Sequence, residues 1–159
     1  MELFALTLDG VKSWCERKKL RYMTNEQLGQ IAIPRPVDPP QSIRVIPRPE
    51  RGMLTFAVAL PFAIPKDRHL EVDQALSLAN SATFMGAWVL NHQRNEAYFR
   101  ITVPTRGVAY DDAAVEYLLQ IVIATVDRVT PGVRAVALEG ASPQRVLVNE
   151  DPNQSIDGG

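Results

Sequence analysis

The spacing of apolar residues changes several times along this chain, and each change marks an element. Val11, Trp14 and Cys15 recur at intervals of three and four, while Lys12, Glu16, Arg17 and Lys19 point elsewhere. That pattern predicts a short amphipathic helix over residues 9–20, with Asp9 as its N-cap. The period then drops toward two. Residues 28–33 predict a strand ending at Pro34, and Pro34-Arg35-Pro36-Val37-Asp38-Pro39-Pro40 is a stiff surface connector, because four prolines in seven residues suit neither helix nor central strand. Ile43, Val45 and Pro47 alternate with Arg44, Ile46 and Arg48, and Pro47 and Pro49 place this strand at a sheet edge. After a turn at Glu50-Arg51-Gly52, residues 53–60 form the clearest strand. Leu54, Phe56, Val58 and Leu60 share one face; Thr55, Ala57 and Ala59 make the other small enough for a helix to pack closely.

Helical spacing returns over residues 68–83, with Asp67 as the expected cap and Gly86 beyond the end. Residues 87–90 and 96–103 predict a hairpin around His92-Gln93-Arg94-Asn95. Asp111 and Asp112 then open a long helix expected to run to about residue 129 and to stop at Pro131-Gly132, with residues 133–138 a final strand or a helical extension. Val115, Leu118, Leu119, Val122 and Val126 make one apolar face of this helix. Tyr117, Ile121, Ile123 and Ala124 cover much of the remainder. A helix apolar around most of its circumference is either buried on two sides or meets a partner, so Tyr117, Ile121 and Ala124 form the candidate interaction surface, most simply that of a homodimer.

The order helix, three strands, helix, two strands, helix (α-β-β-β-α-β-β-α) does not alternate as a parallel nucleotide-binding sheet does. It predicts an α+β fold with an antiparallel sheet of about five strands and helices packed on it. Residues 1–148 read as one domain, and residues 149–159 as a flexible polar tail, since apolar periodicity ends at Val148.

Composition narrows the function more than the fold. Of 159 residues 46% are hydrophobic, enough for a core, and the net charge of −1 lacks the basic excess of a general nucleic-acid binder. The lone cysteine, Cys15, cannot form an internal disulfide, and no stretch reads as a signal peptide or membrane span, so a cytoplasmic protein is expected. The two histidines, His69 and His92, have no zinc-binding spacing; phosphate-binding glycine loops and a G-x-S-x-G nucleophile are absent. Asp111-Asp112 is explained by helix capping, Cys15 beside Trp14 by packing, and Arg17-Lys18-Lys19 by a solvated helix face. No catalytic, cofactor-binding or metal-ligating residue is therefore expected.

The segment from Leu60 to Leu138 supports a comparison. It contains a helix with Leu76-Ser77-Leu78-Ala79-Asn80, then Gly86, the strand Ala97-Tyr98-Phe99-Arg100-Ile101-Thr102-Val103-Pro104, Gly107, and a long helix with an acidic start. These features resemble the YbjN family, described as bacterial sensory-transduction regulators, whose fold is similar to that of class I type III secretion chaperones. The resemblance implies a fold, a habit of dimerising and the binding of a protein client or regulatory partner; it carries no catalytic residues. Two other readings stay open. One is a small-molecule sensor with a pocket between sheet and helix, for which Tyr98, Arg100 and His69 are the candidates. The other is a structural subunit without a ligand of its own.

Overall fold

The computed structural model describes residues 6–148; the expected polar tail, residues 149–159, lies outside them. Three helices, α1 (Leu8–Arg17), α2 (His69–Ser81) and α3 (Asp112–Leu138), accompany six strands: β1 (Met23–Asn25), β2 (Gln30–Arg35), β3 (Gln41–Arg48), β4 (Met53–Ala59), β5 (Ala87–Asn91) and β6 (Glu96–Pro104). All neighbouring strands are antiparallel, in the order β1-β2-β3-β4-β6-β5. The expected α+β architecture is present, with one strand more than the pattern showed. β1 is three exposed residues, too short and too polar to announce itself.

One face of the sheet is apolar and covered. Ile31, Ile33, Ile43, Val45, Leu54, Phe56, Val58, Trp88, Phe99 and Ile101 join Val11 and Trp14 of α1, Val72 and Leu76 of α2, and Val115, Val122 and Val126 of α3 in a single core. Each large side chain buried there contributes on the order of 1.5–3 kcal/mol. The other face is open. In register across it lie Ala32, Arg44, Ala57, Arg100 and Ala87. The helices thus pack on the large-residue face of β4, and the small-residue face expected to receive one does not. Large apolar groups gain most from leaving water, and their size sets the helix distance. Ala57 is nevertheless buried; Arg44 and Arg100, its register neighbours, have stems long enough to shield one methyl.

Several local expectations shift. Thr7, not Asp9, caps α1: its hydroxyl accepts from the Gly10 amide at 3.1 Å, and the helix closes at Arg17. Asp67 sits in a 3-10 turn (Lys66–Arg68) and does not cap α2. β2 runs through Pro34 to Arg35, so the connector shrinks to residues 36–40. β3 is an inner strand and not an edge. Its ladder with β2 stops at Val45, so Pro47 is flanked only by β4, and its missing N–H costs the sheet nothing on the empty side.

Helix α3 passes straight through Pro131-Gly132 to Leu138. Pro131 withholds one helical N–H, a local loss. Continuing the helix buries Val133, Ala135, Val136 and Ala137, which outweighs it. Gly132 has a different purpose from termination. A 3-10 turn (Pro143–Leu147) crosses there, and a Cβ on Gly132 would lie 2.6 Å from the Val146 Cα. Among the described residues no helix is long and apolar enough to cross a membrane.

Candidate functional site

Two anchored points hold the connection between α2 and β5. At one end α2 tightens: Ala82 N–H donates to Ala79 O and Thr83 N–H to Asn80 O, at 3.2 and 3.1 Å. At the other, the Asn80 amide clasps the Trp88 backbone, donating to its carbonyl at 3.1 Å and accepting from its N–H at 2.7 Å. Gly86 closes the turn at φ +81°. A Cβ there would stand 2.6 Å from both the Arg100 carbonyl and the Phe99 ring, so only glycine fits. The chain between is left to bulge outward, and it carries Phe84, fully exposed, and Met85, partly so.

Helix α3 brings its own residues to the same place. Asp111 caps it, accepting from the Ala114 amide at 2.8 Å as expected. Tyr117, Ile121, Ala124 and Arg128, spaced by three and four, then share one side. Tyr117 and Ile121 line an open cleft of about 300 Å³ together with Thr83, Phe84, Met85 and Arg128. Of the candidate surface residues, Tyr117 is 64% exposed and Ala124 is exposed, while Ile121 is half-buried and packs against the core. Among the described residues neither α1 nor the segment after α3 covers this side. α1 is tied to another flank of α3 through Arg17–Asp112 at 2.8 Å and Lys18–Glu116 at 2.9 Å, and the turn after α3 crosses further along, at Gly132. Phe84 and Met85 are the residues that periodicity missed. The available signal was a pair of large apolar side chains in a helix–strand turn, where a single chain has little to pack them on.

The residues named for a small-molecule sensor are not brought together. Tyr98 and Arg100 project from β6 on the open face of the sheet, opposite Ala59 and Ala57. His69 begins α2, with its ring 4.9 Å from that of His92, which pairs with Asp73 at 2.8 Å. Among the described residues no group of three or more His, Cys, Asp or Glu is placed to hold a metal ion. Cys15 is buried, and its desolvation pushes the thiol up to about 11, which suits a packing role.

No family model matches the sequence, and no curated protein does. The fold, by contrast, has a solved counterpart. The crystal structure of YbjN from E. coli, described as a "putative transcription regulator", superposes with a TM-score of 0.63 over 86% of this chain and 93% of that one, at 10% sequence identity. The resemblance seen in the order of elements, in Asn80 and Gly86 and in the acidic helix start is thus a likeness of fold: this chain has the fold of YbjN.

Proposed function

We propose that this is a non-catalytic protein-interaction or regulatory domain that acts as a homodimer, with Tyr117, Ile121 and Ala124 joined by Phe84 and Met85 as the contact. The observation that carries this reading is the exposure of Phe84 beside Tyr117 and Ile121, all lining one cleft. Contiguous large apolar groups in water usually mark an interaction site. A twofold axis through the cleft would bury each of them twice. Strand β5, which follows the turn carrying Phe84 and Met85, ends the sheet, and its Trp88 backbone is already taken by Asn80, which leaves the side chains of the turn to make the contact. The dimer would then serve a protein client or regulatory partner, a role in keeping with the description of YbjN.

Light scattering tests the contact. The wild-type chain should have twice the monomer mass of 17.7 kDa. Phe84→Asp and Tyr117→Glu, at exposed positions, should give folded monomers with unchanged circular dichroism. Ile121→Glu is the harsher variant, because this side chain also touches the core. A wild-type mass of 17.7 kDa at high concentration removes the dimer; a dimer that survives both exposed substitutions places its contact elsewhere.

A further inference from the structure

A second cleft, of about 440 Å³, opens where the β2–β3 connection meets the middle of α3. That volume is in the range of small-molecule sites. Its walls include Val37, Pro39, Pro61, Phe62 and Pro131. Prolines at three wall positions fix much of the lining before any ligand arrives. Four charged residues also line it: Arg35, Asp38, Asp127 and Arg134.

Two of these charges are already committed to each other. The Arg35 side chain is only 10% exposed; it donates to Gln41 Oε1 at 2.6 Å and to both oxygens of Asp127 at 2.9 and 3.0 Å. The Gln41 amide passes the restraint on to the Ala59 carbonyl at 3.0 Å. This network is a fixed, electrically neutral floor. The other two charges have no such partner. Among the described residues neither Arg134 nor Asp38 stands in an ion pair; Arg134 instead lies over the Phe62 ring, 5.5 Å from its centroid.

We propose that this cleft binds a small zwitterion with an apolar body, an amino acid or a dipeptide. The ligand carboxylate pairs with Arg134, its ammonium group with Asp38, and its side chain lies against Val37, Pro39 and Phe62. A simple anion or cation would satisfy one of the uncommitted charges and leave the other unused, whereas a zwitterion meets both. The site belongs to the sensor class of function but uses none of Tyr98, Arg100 and His69, and it shares no lining residue with the Phe84–Tyr117 cleft.

The test is calorimetric titration of the full-length chain with L-phenylalanine, L-leucine and L-leucyl-L-phenylalanine, beside phenylalaninamide and 3-phenylpropionate, each of which lacks one charge. At least one zwitterion should bind, and the singly charged analogues of phenylalanine should bind about tenfold or more weakly than phenylalanine itself. Arg134→Gln and Asp38→Asn, both at exposed positions, should each abolish that preference for the zwitterion. No heat from any zwitterion up to about 10 mM overturns the proposal. So does equal binding of phenylalanine and either analogue, or a preference that persists in both variants. The analogue series is read on the wild-type protein and holds even where a variant fails to fold.

Discussion

Helix α3 begins with a half covered on one side and ends with a half covered on most. Both halves carry apolar residues around much of their circumference. In the first, Val115, Leu118 and Val122 face the core, while Tyr117 and Ala124 stay in water. In the second, Val126, Val129, Gly132, Val133, Ala135, Val136 and Ala137 are all buried. The turn at Pro143–Leu147 accounts for much of the contrast. It closes on the second half at Gly132, whereas the α2–β5 turn that reaches the Tyr117 side of the first leaves Tyr117 and Phe84 exposed. Apolar character around a helix therefore states a demand for cover. Whether the same chain or another molecule meets it depends on where later segments cross.

Substitutions can break this contrast, beginning with the largest effect. Leu118→Ala removes a buried side chain from the covered face of the first half and should lower unfolding stability by about 2–5 kcal/mol in denaturant titration. Tyr117→Ala, one residue away on the open side, should change monomer stability by no more than about 0.5 kcal/mol. Similar losses at both positions would mean that the open side is buried after all.

Gly132→Ala sharpens the second half. Alanine is ordinarily about 1 kcal/mol better than glycine inside a helix. Here its methyl meets backbone at 2.6 Å, so the crossing turn must shift, and the variant should lose about 1–3 kcal/mol. A gain in stability would show that the turn does not lie on the helix.

The smallest effect concerns what ties α1 to the first half. Arg17, hydrogen-bonded to the Asp112 carboxylate, holds that group below its ordinary 3.8. A carboxylate depressed in the folded state contributes stability that is fully present above its unfolded value and is lost as pH falls through the folded one. The stability difference between wild type and Asp112→Asn should therefore be constant from about pH 7 to 5 and should narrow below about pH 4. The group is exposed, so salt should shrink the difference. A difference that grows on acidification contradicts the pairing.

Much of the fold was legible because its signals are local. The alternation in residues 53–60, the hairpin about His92 to Asn95 and the Asp111 cap each rest on residues close in sequence, and all three stand where expected. The misplaced features share another cause. Pro47 looked like an edge marker, yet β3 is internal, because strand order is set by pairings between distant residues. Pro131-Gly132 looked like a stop, yet α3 continues, because the gain from burying Val133 to Ala137 comes from packing against other elements.

The candidate surface divides in the same way. Tyr117, Ile121 and Ala124 could be picked from helical spacing, since 3.6 residues per turn fixes which side chains share a side. Phe84 and Met85 could not be assigned to them, because Asn80's hold on Trp88 and the close approach at Gly86 bring the turn against α3 only in the folded chain. The sequence alone determined the helices, most of the strands and the apolar excess of α3, for these follow from short-range periodicity. Tertiary structure alone decided which part of that excess stays uncovered, and which of Arg35, Asp38, Asp127 and Arg134 spend their charge on each other, for both depend on contacts between separate elements, 92 positions apart in the case of Arg35 and Asp127.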